Sequence, residues 1–233
     1  MSSRYTHEIY KNLLLINSST LITIYDHLLT KLLLACSMFT GIIEALGEVV
    51  EITNSGTSKN ICLKSNFTQE LRVDQSISHN GVCLTVTAIE NDTYWVTAVE
   101  ETLLKTNLNT TKVGMKLNLE RCMLNNGRFD GHIVQGHVDQ TGTCTKIDEQ
   151  DGSWLFHFSY DPSQGNITVE KGSITINGVS LTCFNSGNNH FTVTIIPYTF
   201  NHTNFSTIAV GDTVNLEFDI IGKYVQKLLN KTT

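Results

Sequence analysis

Two hexapeptides, Asn80-Gly-Val-Cys-Leu-Thr85 and Asn177-Gly-Val-Ser-Leu-Thr182, place a thiol in one copy and a hydroxyl in the other at the same point of segments 97 residues apart. Residues two apart on a strand share a face. Val82, Leu84 and Val86 therefore point into a core, while Cys83 with Thr85, and Ser180 with Thr182, form a short polar face in each copy. A lone cysteine is often only a small buried hydrophobe. Its alignment with Ser180 argues otherwise, because a buried serine would need a partner. Two matched patches of small hydroxyl and thiol groups beside glycine-rich backbone suit two copies of one ligand, or two very similar ligands. His132 and His137 flank Gly136 between the copies, and His137 falls opposite Ile42 in the other copy. A scaffold that accepts isoleucine there does not require the histidine, which points to proton transfer in one site only.

Other chemistries have no support. No Walker sequence, G-x-G-x-x-G or H-E-x-x-H occurs. The six cysteines (36, 62, 83, 122, 144 and 183) form no C-x-x-C pair and have no metal-ligand spacing, so no metal site is expected. They read as thiols of a reducing compartment. A net charge of −6 gives no footprint for nucleic acid or an anionic membrane. Asn-x-Ser/Thr sequences, as at Asn91, Asn109 and Asn166, arise easily in a chain rich in Asn, Ser and Thr.

The elements that must position these residues follow from an internal repeat. The 97-residue offset aligns Ser76–Thr85 with Ser173–Thr182 and Thr102, Thr106 and Asn107 with Thr199, Thr203 and Asn204. It also aligns Val113-Gly114 with Val210-Gly211, and Asn118-Leu-Glu120 with Asn215-Leu-Glu217. Near the start of each unit the offset is 95, laying Gly41–Gly47 over Gly136–Gly142. The chain is thus two copies of one domain, 38–132 and 133–219. Alternation through Val82–Val86 and Trp154–Tyr160, with turns at Asn54-Ser-Gly, Asp151-Gly and Val210-Gly-Asp, predicts about six short strands per unit and a pair of small Greek-key-like β-barrels. The Asn-Gly pairs predict type I′ hairpin turns between Ser76–His79 and Val82–Thr87 and at the matching place in the second copy.

Beyond the second unit, Ile221, Tyr224, Val225, Leu228 and Leu229 fall at i, i+3, i+4, i+7 and i+8 and predict a C-terminal helix over 220–233 with one apolar face. That face either caps the second barrel or packs on another subunit, and the subunit contact is the one expected. Residues 1–37 read as an extension ahead of a functional start at Met38. Their apolar runs are broken by Lys11, Asp26, His27 and Lys31, well short of the roughly 18–20 residues a spanning helix needs.

Met38-Phe-Thr-Gly-Ile-Ile-Glu44, Asn80–Thr87, Gly131-His-Ile-Val-Gln-Gly-His-Val-Asp139, Val169–Thr182 and Ile195-Ile-Pro197 together resemble the riboflavin synthase family, in order and over about 38–229. The resemblance implies a cytoplasmic, cofactor-independent transferase that dismutates two molecules of 6,7-dimethyl-8-ribityllumazine. One gives up a four-carbon unit to the other, yielding riboflavin and 5-amino-6-ribitylaminouracil. It implies a homotrimer with its C-terminal helices at the centre and each active site between the first barrel of one subunit and the second of a neighbour. It also implies association with lumazine synthase.

Carried over residue by residue, the family's binding positions fall on Gly41, Ile42 and Ile43, on Cys83, Leu84 and Thr85, and on Thr97, Ala98, Val99, Glu100, Glu101 and Thr102 for the first barrel. For the second they fall on Gly136, His137 and Val138, on Lys171, on Ser180, Leu181 and Thr182, and on Ile196, Pro197, Tyr198, Thr199, Phe200 and Asn201. The catalytic set expected is Ser76, Cys83, His137, Ser180 and Thr182. His137 and Ser76 would move the acidic C7-methyl proton, Cys83 and Thr182 would assist nucleophile addition, and Ser180 would anchor the ligand. Asn177 stands where many relatives carry Asp, and Tyr198 replaces a more usual His or Glu. The rival within this fold is a non-catalytic lumazine-binding fluorescent antenna. A flavin-dependent reductase would need a nucleotide-binding α/β half that the sequence lacks.

Overall fold

A computed structural model describes residues 38–124 and 126–229; the extension 1–37 lies outside them. The first repeat supplies β1 (Ala45–Ser55), β2 (Ser58–Lys64), β3 (Ser76–His79), β4 (Val82–Glu90), β5 (Thr93–Ala98), a short helix α1 (Glu100–Lys105) and β6 (Lys116–Arg121). The second supplies β7 (Gln140–Gln150), β8 (Ser153–Tyr160), β9 (Ser173–Ile176), β10 (Val179–Phe184), β11 (His190–Ile195), α2 (Pro197–His202) and β12 (Thr213–Phe218), and α3 (Ile220–Leu229) follows. Each set closes into a six-stranded antiparallel barrel, ordered β1-β2-β5-β4-β3-β6 and, equivalently, β7-β8-β11-β10-β9-β12. Closure leaves no sheet edge exposed.

The Asn-Gly pairs fix the register that presents the polar faces. Asn80 and Gly81 have φ of 48° and 81°, and Asn177 and Gly178 have 47° and 82°. Positive φ at both central residues is what a type I′ turn demands. The ladder then pairs Ser76 with Thr85 and Ser78 with Cys83, and, in the second barrel, Ser173 with Thr182 and Thr175 with Ser180. Val82, Leu84 and Val86 are buried, whereas Cys83 is half-buried and Thr85 exposed.

Each barrel has its own core. The first is largely aliphatic around Val49, Ile61, Leu63, Ile77, Val86 and Leu119, with one buried polar pair in which His79 Nε2 lies 2.9 Å from the Tyr94 hydroxyl. The second is aromatic, with Phe156 edge-on to Phe205 at a centroid distance of 5.1 Å. Full burial of each such large side chain contributes roughly 1.5–3 kcal/mol.

The segments leading into the two barrels are exchanged. Phe39 and Val134 pair antiparallel, with amide-to-carbonyl distances of 2.8 and 3.1 Å. From that bridge residues 40–43 run against the second barrel, where Ile43 packs on its core, and residues 135–138 run against the first, where Val138 packs. The two hairpin turns also meet. A Cβ on Gly81 would lie 2.8 Å from the Gly178 amide nitrogen, and the reverse holds at the same distance. The polar side of α3 is tied to the second repeat by Lys223 Nζ to Asp139 at 2.7 Å and Gln226 Nε2 to the Gly165 carbonyl at 2.8 Å. Its apolar side, with Ile221, Tyr224, Val225 and Leu229, is exposed.

Candidate active site

Exchange of the entry segments regroups the expected site residues. Gly41–Ile43 precede the first barrel in sequence, yet the Gly41 carbonyl accepts from the Ser180 amide at 2.8 Å. Gly136–Val138 precede the second barrel, yet the Gly136 carbonyl accepts from the Cys83 amide at 2.8 Å. Two sites therefore result, each joining a hairpin strand of one barrel to an entry segment of the other repeat. The first holds Cys83 with Gly136, His137 and Val138. The second holds Ser180 with Gly41, Ile42 and Ile43. Both glycines have positive φ, 78° at Gly41 and 75° at Gly136, and a Cβ on either would overlap the facing strand, at 2.7 Å from the Ser180 amide nitrogen or 2.7 Å from the Cys83 Cβ. Only glycine fits such a close approach of backbone to strand.

The sites differ in their polar chemistry. In the second, Ser180 Oγ lies 2.6 Å from His132 Nδ1, and His132 Nε2 lies 3.1 Å from Thr175 Oγ1. Burial pushes the His132 imidazole below the ordinary histidine range, favouring its neutral form. Its position relative to Ser180 was not legible from the sequence, since 48 residues separate them. The position that matches His132 under the 95-residue offset is Ser37, outside the described residues. In the first site Ser76 stands opposite Thr85, and its carbonyl accepts from the Cys122 thiol at 3.2 Å.

Around these centres the remaining expected residues take varied positions. Leu84 and Ala98 are buried in the first core and Leu181 packs on the second. Thr97 Oγ1 donates to Asn60 Oδ1 at 2.8 Å. Val99 precedes α1, where Glu100 and Glu101 form the first turn and the Thr102 carbonyl accepts from Thr106 Oγ1 at 2.6 Å. In the matching place Ile196 precedes α2, Pro197 and Tyr198 open it, and the Thr199 carbonyl accepts from Thr203 Oγ1 at 2.7 Å. Phe200 stacks on Trp154 at 3.8 Å, Asn201 is exposed, and Tyr198 is exposed and stacked on His202 at 4.1 Å. Lys171, at φ 64°, carries its Nζ 5.0 Å over the Phe184 ring.

Asn177 belongs to a buried amide network between the barrels. Its Oδ1 accepts from the Asn215 amide at 2.8 Å and from Asn107 Nδ2 at 3.1 Å. Asn80 repeats the arrangement, accepting from the Asn118 amide at 2.8 Å and Asn204 Nδ2 at 3.1 Å. Asn118 Nδ2 and Asn215 Nδ2 then donate to the carbonyls of Asn177 and Asn80, at 2.9 and 2.8 Å. This network fixes the barrels, and hence both sites, relative to each other. Among the described residues no group of three or more His, Cys, Asp or Glu side chains could hold a metal ion, and no helix is long and apolar enough to cross a membrane.

Residues 40–122 and 135–219 each match the model of the lumazine binding domain. The chain is 42% identical over 196 residues to a riboflavin synthase of Bacillus amyloliquefaciens, spanning 84% of this chain and 91% of that one. It is 40% identical over 195 residues to a riboflavin synthase of Actinobacillus pleuropneumoniae, spanning 83% and 91%. A solved structure of LumP complexed with 6,7-dimethyl-8-(1'-D-ribityl) lumazine shares the fold, with a TM-score of 0.70, 20% identity, and coverage of 77% of this chain and 98% of that one.

Proposed function

We infer that this chain, which belongs to the lumazine binding domain family and carries both copies of the domain, catalyses the riboflavin synthase reaction. Two molecules of 6,7-dimethyl-8-ribityllumazine are consumed, and a four-carbon unit passes from one to the other. Riboflavin and 5-amino-6-ribitylaminouracil leave, and the atoms balance with nothing added. The observation that carries this reading is the pairing of two alike sites with unlike polar groups. Gly41 lies at Ser180 and Gly136 at Cys83 through the same 2.8 Å contact, while only the second of these entry segments brings a histidine, His137. A reaction between identical molecules that play different parts needs that combination.

The reaction begins at the C7 methyl group of one lumazine, acidic because its carbanion delocalises into the ring. His137, with Ser76, accepts that proton. Cys83 and Thr182 assist addition of a nucleophile to the partner ring, and Ser180 anchors its ligand. Peptide groups of Gly41–Ile43 and Gly136–Val138 meet the polar ring edges, and the hydroxyls of Thr85 and Thr182 meet ring and ribityl oxygens. Holding two rings in stacking distance removes much of the entropic barrier, a contribution on the order of several kcal/mol.

The exposed apolar side of α3 is the contact between subunits, and a trimer centred on it would bring the first barrel of one subunit to the second of a neighbour. The enzyme works in the reducing cytoplasm. Supplying purified protein with 6,7-dimethyl-8-ribityllumazine alone, and identifying products by mass, tests the function. Both riboflavin and the ribitylaminouracil are expected; lumazine retained unchanged would make the protein a ligand holder of the antenna type.

A further inference from the structure

The entry segments carry the edges of both sites, and each hangs on one buried carboxylate. Glu120, at the end of β6 and 4% exposed, accepts at Oε1 from the Thr40 amide at 2.6 Å and the Thr40 hydroxyl at 2.8 Å, and at Oε2 from the Gly41 amide at 2.9 Å. Glu217, at the same place on β12 and 3% exposed, accepts at Oε1 from the Gln135 amide at 2.6 Å and at Oε2 from the His137 amide at 2.9 Å. Both oxygens of each carboxylate are therefore engaged by consecutive or near-consecutive amides. Such a fork fixes the direction of a peptide chain, not only its distance. The clamped stretches hold the glycines whose carbonyls meet the opposite barrel: Gly41 at the Ser180 amide, and Gly136, between the clamped Gln135 and His137, at the Cys83 amide.

We propose that Glu120 and Glu217 are positioning residues for the reaction, each orienting the entry segment that completes the site on the opposite barrel. This rests on the functional reading above. Burying two carboxylates is costly, and a pair of amides is a low return on that cost unless the orientation itself matters. Neither glutamate need touch the substrate. Glu217 sets where the imidazole of His137 stands, and Glu120 sets the Gly41 peptide against Ser180.

Protonation also bears on the clamp. Burial raises the Glu120 carboxyl from 4.5 to about 7, against the opposing pull of the Thr40 and Gly41 donors, with the Glu44 charge adding to the rise. Glu44 is itself paired with Arg121 at 2.6 Å. Burial raises Glu217 as well, with Lys223 opposing and Asp139 reinforcing. A carboxyl raised above its solvated value binds its proton more tightly in the buried clamp, so proton uptake favours the clamped segment and the hold on Gly41 weakens as pH rises through about 7.

Glu120→Gln and Glu217→Gln test this, because the amide NH2 of glutamine faces one N–H donor while the carbonyl keeps the other. Three readouts are taken on each variant and on wild type: turnover of 6,7-dimethyl-8-ribityllumazine, equilibrium binding of riboflavin, and amide hydrogen exchange over residues 39–43 and 134–138. The expected result is a fall in kcat of at least about tenfold with riboflavin affinity changed less than about threefold, since misplacement of reacting groups weighs on rate more than on binding. Exchange should quicken at least about tenfold in the clamped segment alone. Folded variants with kcat within about twofold of wild type would overturn the proposal. If either variant does not fold, Glu120→Asp or Glu217→Asp, which keeps the carboxylate but shortens its reach to the clamped amides, takes its place, and a kcat within about twofold of wild type overturns the proposal. A wild type that converts no lumazine would defeat the functional reading, and the exchange data would still judge the clamp.

Discussion

The Cys83 amide donates to the Gly136 carbonyl at 2.8 Å, so a strand of the first barrel is hydrogen-bonded to the segment that leads into the second. The Ser180 amide and the Gly41 carbonyl repeat the contact at 2.8 Å in the other direction. Neither site is the property of one repeat.

A methyl group at either crossing glycine should disable the site it serves. Gly136→Ala and Gly41→Ala meet both a positive φ and contacts under 3 Å with the facing strand. A loss in kcat/KM of at least about 100-fold is expected, in line with misplacement of reacting groups by about 1 Å. Gly56→Ala is the control: it shares a positive φ, but a Cβ there meets nothing within 4 Å. Steady-state kinetics on the three variants should leave only Gly56→Ala close to wild type.

His137 and Ser180 should separate in kinetics. His137→Ala removes the proton acceptor and is expected to lower kcat by about 100-fold or more. Ser180→Ala removes an anchor, raising KM while kcat stays within about threefold. A His137→Ala enzyme with near-normal turnover would remove the base from the scheme.

Asn177 should matter for stability. Its Oδ1 accepts two hydrogen bonds inside the barrel contact, at a φ of 47° that asparagine tolerates. Asn177→Leu strands the buried Asn215 amide and strains the turn, costing about 2–4 kcal/mol. Asn177→Asp keeps the accepting oxygen and should cost less than half as much. Denaturant unfolding of the two variants gives the comparison.

Acid should act through His79. Burial lowers this imidazole from 6.5 to about 4, so the folded state favours the neutral ring. A group with a depressed folded pKa contributes stability that is complete above its unfolded pKa and is lost as pH falls through the folded one. The window is therefore pH 6.5 down to about 4, and the loss is about 3 kcal/mol. Glu120 runs the opposite way: with its carboxyl raised to about 7, its contribution is complete below 4.5 and declines as pH rises through 7. The His79→Gln variant should show a smaller loss of stability from pH 6.5 to 4 than wild type, as measured by urea unfolding at each pH.

The apolar side of α3 should govern assembly. Tyr224 and Val225 are 65% and 51% exposed. A Tyr224→Glu, Val225→Glu double variant should sediment as a smaller species than wild type and lose turnover, if sites form between subunits. An unchanged sedimentation coefficient would detach α3 from assembly.

The barrels were legible in the sequence because their determinants are local. Asn-Gly dictates its turn, and alternation through Val82–Val86 or Trp154–Tyr160 dictates which side chains face inward. The polar faces carrying Cys83 and Ser180 followed from the same two-residue period. What the sequence did not disclose is the exchange of Gly41–Ile43 and Gly136–Val138 between barrels. Strand patterning is silent on which core an entry segment covers, and in each copy the segment reads equally well against its own barrel. The signals were present but unassigned. Asn118-Leu-Glu120 and Asn215-Leu-Glu217 align across the repeats, and on a strand the Asn and Glu must share one face while Leu takes the core. A buried Asn and a buried Glu recurring together point to further polar partners, which proved to be the other repeat for the Asn and the repeat's own entry segment for the Glu. The pairing of His132 with Ser180 lay deeper still, for it depends on how the 122–133 linker meets the second barrel.

The central claim is that one protein consumes two lumazines to make one riboflavin. Purified enzyme should be given 6,7-dimethyl-8-ribityllumazine and nothing else, with both species followed by absorbance. Riboflavin must form at half the rate at which lumazine disappears. Formation at any other ratio, or a tightly held lumazine that never decays, would contradict it.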